Sequence, residues 1–332
     1  MLVDVPLLDV AAPAAEQLML AAPDRLATLI EGARRRYGKV VMTLGDRATL
    51  AWLRRSRSPC LPEIEAVARR LGEPGAALLN MSYEWSCTAG IAAAASGTGM
   101  RLLRTLDWPL PGLGRAVVVA RQHGAAGDYY SVTWPGYVGV LTGMAPGRFC
   151  AAINQPPLRR VSRLRPLDWI IARQRLWRSR ELPPSHLLRR VFDECANYTQ
   201  ARRMLIETPL CAPAFYSLAG IHPGEGCVIE RRETAAAVRP APAAVANHWT
   251  GFAERGHDRG YDSRGRQRDM ECALQGGGGG DFAWLQPLVL NPTTRLAVIA
   301  DAAQCVLIVQ GWESDGPATH VLSLPSAAAT DA

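Results

Sequence analysis

A cysteine followed at short range by an arginine and an aspartate is the part of this chain best suited to chemistry. The stretch is Asn80-Met81-Ser82-Tyr83-Glu84-Trp85-Ser86-Cys87-Thr88-Ala89-Gly90, with Arg101-Leu102-Leu103-Arg104-Thr105-Leu106-Asp107-Trp108 behind it. Cysteine becomes a good nucleophile with little help, needing a base and an electropositive neighbour. The separation of Cys87 from Arg104 and Asp107 suits a strand, a turn and a second strand. Taken alone, these residues leave other readings open. A buried, inert thiol is the commoner fate of any one cysteine, and Arg104 with Asp107 would serve equally as a surface ion pair.

The chain has 332 residues, a formal net charge of +7, 48% hydrophobic and 20% charged residues. That is enough chain to bury a proper core in one large or two modest domains. The basic residues are scattered over separate segments and no nucleic-acid motif accompanies them, so a nucleic-acid partner is not expected. No window has the length and apolarity of a membrane span, and the first residues do not form a signal peptide. The eight cysteines are widely spaced without CxxC, which argues against a zinc site or a disulfide framework. A reduced, cytoplasmic chain without metal or cofactor is the plain expectation.

The elements that must position Cys87 read as follows. Residues 12 to 37 look helical with an interruption near Pro23, and a cleaner helix runs from Pro62 to Leu71, stopped by Gly72. Gly75 to Glu84 reads as a short helix leading to the cysteine. Strand-like runs follow at Arg115 to Gln122, Tyr129 to Trp134, Tyr137 to Thr142 and Arg148 to Ile153. Residues 166 to 206 turn helical, with Ser185 and Thr199 as N-caps and an apolar stripe through Leu187, Leu188, Val191, Phe192 and Cys195. Strands return at Gly226 to Arg231, Ala243 to Trp249, Leu296 to Ile299 and Cys305 to Gln310. Gly276 to Gly280 reads as a loop and the tail from Ser326 as disordered. Strands, helices, then strands make an α+β layered domain behind a helical N-terminal segment.

Several ordered motifs then resemble one family, that of acid ceramidase and N-acylethanolamine-hydrolysing acid amidase, N-terminal-nucleophile hydrolases related to the bile-salt and penicillin V amidases. Pro62 through Glu84 resembles the end of its pro-segment, Cys87-Thr88 the start of its mature chain, and Arg104 with Asp107 its Arg-x-x-Asp pair. Gly136-Tyr137-Val138-Gly139-Val140-Leu141-Thr142-Gly143 is similar to a family hairpin. Asn247-His248-Trp249 and Asp262-Ser263-Arg264 also match. In all, the resemblance covers most of residues 60 to 310.

What the resemblance implies is a four-layer αββα sandwich that cuts itself between Ser86 and Cys87. Residues 1–86 would form a small helical subunit and 87–332 the catalytic one. The freed amine of Cys87 would take the thiol proton, both having reference pKa values near ~8 to ~8.5. Asp107 would orient the ammonium form, Arg104 would favour the thiolate, Asn247 would donate to the oxyanion and Arg264 would line the site. Asn154 matches a position near the oxyanion in the wider amidase group. Trp108, Trp134 and Tyr137 flank the matched motifs and read as an acyl-chain pocket or as core. The implied activity is hydrolysis of a linear N-acyl amide with an apolar acyl group, lipid-like or small, through an acyl-thioester. Transfer of that acyl group to an amine, or uncleaved, non-catalytic binding of acylated ligands, are the alternatives. Arg264 sits among Arg259, Arg266 and Arg268, and choosing between Arg264 and Arg266 rests on register. His248 and His257 have no part in this mechanism. Gln155 follows Asn154 where the family often has Glu, which bears on the efficiency and pH dependence of activation.

Overall fold

In the computed structural model, which describes residues 1–276 and 281–324, one strand and four helices precede the cysteine. They are β1 (Leu7–Val10), α1 (Ala14–Ala21), α2 (Pro23–Ser56), α3 (Leu61–Leu71) and α4 (Ala76–Met81). α3 forms where expected, with proline in its first turn and Gly72 closing it at φ 68°. α2 outruns the end expected at Tyr37. Gly38 takes a φ of 76° and kinks the helix, which resumes to Ser56 because Met42, Trp52 and Leu53 are buried on its second half.

The remaining strands and helices are β2 (Ser86–Ala93), β3 (Met100–Asp107), β4 (Val118–Gly124), β5 (Gly127–Thr133), β6 (Thr142–Ala145), β7 (Phe149–Asn154) and β8 (Leu158–Arg159), then α5 (Arg165–Arg178), α6 (Pro184–Glu194) and α7 (Tyr198–Glu207). After them come β9 (Ala214–Gly220), β10 (Gly226–Arg231), β11 (Ala236–Pro240), β12 (Ala243–Val245), β13 (Gly256–His257) and α8 (Ser263–Gln275). β14 (Thr294–Asp301), β15 (Val306–Glu313), β16 (Gly316–Pro317) and β17 (Leu322–Leu324) end the described chain. One sheet has the order β1-β4-β5-β6-β7-β9-β10-β11. The other has β12-β2-β3-β14-β15-β16, with β17 on β15.

The sheets face each other through β2 and β3 against β7 and β9; α6 and α7 pack on one sheet and α8 on the other. This is the expected αββα sandwich. Period-two alternation explains the layering. On β3, Leu102 and Leu106 enter the core between the sheets with Phe149, Ile153 and Leu218, each buried leucine contributing about 1.5–3 kcal/mol. Leu103 points the other way, into a core under α8 with Met270 and Ile299. On β2, Cys87, Ala89 and Ile91 belong to the inner core. Gly90 faces outward, where an added Cβ would stand 2.8 Å from Met270 of α8.

Three local expectations are corrected. Tyr137 to Thr142 is no strand before Thr142, because the side chain of Asn80 in α4 takes the backbone groups that a ladder would use. Its Nδ2 donates to Gly136 O (2.9 Å) and its Oδ1 accepts from Val138 N (2.7 Å). Ser185 and Thr199 lie inside α6 and α7; the cap positions belong to Pro183 and to Asn197, whose side chain accepts from Gln200 N. The strand expected over Ala243 to Trp249 ends at Val245, where Asn154 Nδ2 bonds to the carbonyls of Val245 and Ala246 (both 3.2 Å). Gly277 to Gly280 and the tail from Ser326 lie outside the described residues. All eight cysteines are free thiols. Among the described residues no helix is long and apolar enough to cross a membrane.

Candidate active site

β2 and β3 pair antiparallel with Cys87 opposite Leu106 and Ser86 opposite Asp107. The Ser86–Cys87 peptide is therefore part of a strand, and both residues are buried. Arg104, an even-numbered position on β3, shares the inner face with the thiol. Its Nη2 lies 2.9 Å from Cys87 Sγ and 3.1 Å from Ile153 O, and its Nη1 donates to Leu141 O (2.9 Å) and to Thr142 Oγ1. Arg104 is fully buried and, among the described residues, has no carboxylate within ion-pair distance. A guanidinium in that position stabilises whatever negative charge the sulfur acquires. Burial pushes the Cys87 thiol above its ordinary value, and Arg104 pulls it back down by its charge and its hydrogen bond.

Asp107 has the opposite parity on β3, so it does not share the thiol's face. Its Oδ1 accepts from Thr294 Oγ1 (2.8 Å) and its Oδ2 lies 3.3 Å from Arg266 Nη1. Burial raises its pKa, opposed chiefly by Arg266 and by the Thr294 hydrogen bond. Arg266 joins the parts. Its Nη1 also donates to Cys87 O (2.8 Å) and Thr88 Oγ1 (2.9 Å), its Nη2 to Asn247 Oδ1 (2.9 Å) and Arg259 O (3.1 Å), and its Nε to Tyr261 O (2.6 Å). Asn247 Oδ1 in turn accepts the Cys87 amide (3.1 Å), while Asn247 Nδ2 donates to Gln155 O (2.7 Å). The carboxamide is thus oriented from both ends, with one N–H of Nδ2, the group expected to face an oxyanion, engaged by Gln155 O.

Arg264 is corrected to Arg266. α8 starts at the Asp262 cap, whose side chain accepts from Gly265 N (2.9 Å), and presents Arg266 and Met270 to β2 at the i, i+4 spacing. Two residues make about 200° of helix, so Arg264 points outward. Its side chain is 71% exposed, with only Asp258 at 4.0 Å. Gly260, at φ 68°, lets the loop before α8 close over Ser86, since an added Cβ would stand 2.3 Å from Ser86 Oγ.

Of the two readings of the aromatics, acyl-chain pocket or core, their packing favours core. Trp108, Trp134 and Tyr137 line an apolar cavity of about 40 Å³ closed by Met19, Leu29 and Leu79 of the N-terminal helices. That room suits little more than one water, and the three aromatics are core at the boundary with the N-terminal segment. A roomier cavity, about 450 Å³, lies elsewhere. Tyr83, Gln155, Trp249 and residues of α5 line it, and Gln155 connects it to the centre through the carbonyl that accepts from Asn247 Nδ2. Asn154, fully buried, uses Nδ2 on backbone carbonyls and leaves Oδ1 without a partner. His248 and His257 are satisfied by Ser263 Oγ and Asp168 Oδ2 (both 2.8 Å). Sequence reasoning missed Arg259 and Ser263, whose Oγ accepts from Asn247 N (2.8 Å). The signal for Arg266 was available in its helical spacing to Met270 and Leu274.

The αββα sandwich is the fold of N-terminal-nucleophile hydrolases, and here Cys87 stands at the start of β2 beside a buried arginine. Known proteins agree. The chain is 30% identical over 204 residues to N-acylethanolamine-hydrolyzing acid amidase of Oryctolagus cuniculus, covering 59% of this chain and 54% of that one. It is 35% identical over 100 residues to acid ceramidase of Homo sapiens, covering 30% and 24%. In fold it is similar to a Caenorhabditis elegans N-acylethanolamine-hydrolyzing acid amidase ortholog, with a TM-score of 0.52 and 21% identity over 72% of this chain and all of that one. The chain spans about a quarter of the acid ceramidases and about half of the amidase it matches. No family model matches it. The resemblance to the acid ceramidase and N-acylethanolamine amidase family holds in sequence and in fold.

Proposed function

We propose that this protein is a self-cleaving cysteine amidohydrolase acting on a linear N-acyl amide. The observation that carries the reading is the fully buried Arg104, with no carboxylate partner and Nη2 2.9 Å from Cys87 Sγ. A buried cation without a counter-ion is costly unless an anion forms beside it, and the sulfur is the group that can become one.

In the first reaction Cys87 Sγ attacks the Ser86 carbonyl carbon. The Ser86–Cys87 C–N bond breaks, the amine of Cys87 receives the thiol proton, and water hydrolyses the resulting thioester. The amine is born already hydrogen-bonded to Asn247 Oδ1, the acceptor that its amide uses in the uncut chain. In the second reaction that amine takes the thiol proton, the thiolate attacks the substrate carbonyl, the substrate's amine leaves, and water releases the acyl group. Arg266 holds Asn247, the Cys87 carbonyl and Asp107 in register throughout, so Asp107 positions Cys87 through Arg266. The large cavity, with Leu158, Leu176 and Trp249 among its walls, supports an apolar acyl group.

Residues 1–86 would stay bound after the cut. β1 pairs parallel with β4, Arg25 Nη1 donates to the carbonyls of Arg115 and Val117, and Asn80 is bonded to residues 136 and 138. Free thiols throughout suit a reducing compartment, in keeping with a cytoplasmic protein.

Denaturing intact mass of the wild type and of Cys87→Ala across pH is the test. The expected result is fragments 1–86 and 87–332 from the wild type and a whole chain from the variant. A wild type whole at every pH, or a cut protein without thiol-dependent hydrolysis across a panel of N-acyl amides, would overturn the reading.

A further inference from the structure

The two walls of the large cavity differ in how their arginines are neutralised. On one side Arg159 is paired to Glu254 and lies 3.6 Å from Glu233, and Arg232 holds Glu254 at 2.9 Å. On the other, Arg165, Arg173 and Arg259 line the same space with no carboxylate in ion-pair distance among the described residues. Arg259 is half-buried. Its Nε donates to Pro156 O (2.8 Å) and its carbonyl accepts from Arg266 (3.1 Å), while both terminal nitrogens bond to no protein atom. Arg173 stacks 5.0 Å over the ring of Trp169, which aligns its guanidinium without using its N–H groups.

Like charges gathered without partners are costly. Burial first, then the charges of Arg173 and Arg165, bring the Arg259 pKa down to about 10. The opposing influence on both Arg259 and Arg173 is Glu84, which borders the cavity two residues before the scissile Ser86 and accepts from Tyr37 Oη (3.0 Å). An anion thus already faces this wall in the uncut chain, two residues from the chain end that the cut would create.

We propose that Arg165, Arg173 and Arg259 recognise an anionic group (carboxylate, sulfonate or phosphate) on the amide substrate, with Glu84 standing in that place before cleavage. This deepens the amidohydrolase reading and rests on it for the word substrate. Free guanidinium N–H groups beside a stacked tryptophan favour such a group through charge-assisted bonds, and the neighbouring apolar wall takes the chain attached to it.

Calorimetric titration of the cut protein with N-dodecanoylglycine, N-dodecanoyltaurine and N-dodecanoylethanolamine compares one acyl chain with a carboxylate, a sulfonate and no charge. The anionic pair should bind about tenfold tighter than the ethanolamide, and added salt should narrow that gap. Which anion binds better identifies the headgroup. Arg173→Gln with Arg259→Gln should bring the ratio to within about twofold, whereas Arg163→Gln, exposed on the same stretch, should preserve it. Arg165→Gln with Arg173→Gln, both on α5 and away from the buried centre, repeats the test if the first pair fails to fold. Equal binding of the three ligands, binding of none, or a preference that survives both double substitutions overturns the proposal. Hydrolysis is scored separately by released dodecanoate. Preferential binding without turnover would sink the hydrolase reading and leave the anion site, and turnover without preference would do the reverse.

Discussion

The buried centre and the groove above it both depend on arginine, in opposite ways. At the centre, Arg266 engages all three guanidinium nitrogens and Arg104 both of its terminal ones, on backbone carbonyls, hydroxyls, Asn247, Asp107 and the sulfur. In the groove, Arg165, Arg173 and Arg259 keep their terminal nitrogens unbonded to protein. Saturated donors in a low-dielectric interior fix geometry, since moving them would strand buried acceptors. Unsaturated donors at a cavity wall remain for a ligand. The same residue type therefore serves as scaffold at one depth and as reader at another.

Breaking the centre should have the larger effects, and Arg104→Gln the largest. Burial raises the Cys87 thiol and Arg104 lowers it, so loss of the cation moves the thiol's pKa upward and depletes thiolate at neutral pH. The rate of fragment formation should fall about a hundredfold, the worth of one strong bond to a charged group, and the pH profile should shift to higher pH. Time-resolved intact mass reads both. A rate and profile equal to wild type would remove Arg104 from the mechanism.

The Arg266–Asp107 pair comes next. Met at Arg266 strands a buried carboxylate, at a cost of about 3–5 kcal/mol, and Asn at Asp107 strands a buried guanidinium. The double variant removes both charges and should cost less than the sum of the singles by more than about 1 kcal/mol. Denaturant unfolding in a Cys87→Ala background, which keeps the chain whole, measures this cycle. Additive losses would show that the two charges do not support each other.

Legibility from sequence divides along the same line between centre and periphery. The hairpin carrying Cys87 and Arg104 is readable because the separation of the two residues, which suits a strand, a turn and a second strand, is local. That Asp107 belongs to the opposite face was equally implicit, since positions three apart on a strand differ in parity. The turn at Gly136 to Leu141 was not readable, because Asn80, more than fifty residues away, supplies the bonds that displace a strand. Trp108, Trp134 and Tyr137 went to the N-terminal boundary instead of the substrate cavity for a similar reason: what covers an aromatic is a tertiary fact. The groove's arginines lie on α5 and in the loop before α8, and no local pattern states that these face one another.

The comparison is sharpest between Arg264 and Arg266, two residues apart on one helix. Arg264→Ala removes an exposed side chain whose carboxylate neighbour is 4.0 Å away, a pairing of little worth in water. Its unfolding free energy should stay within about 0.5 kcal/mol of wild type, and self-cleavage should run at the wild-type rate. The same truncation at Arg266 removes the bonds that tie α8 to the Cys87 carbonyl, Asp107 and the Asn247 side chain, leaving only the Ser263 hydroxyl on the Asn247 amide. Equal behaviour of the two alanine variants, in melting and in fragment formation, would mean that the register of α8 against β2 does not set the active site. A large loss at Arg266 alone places the organising cation on the inward face of α8, where Gly90 leaves space for Met270 one turn further along to pack against β2.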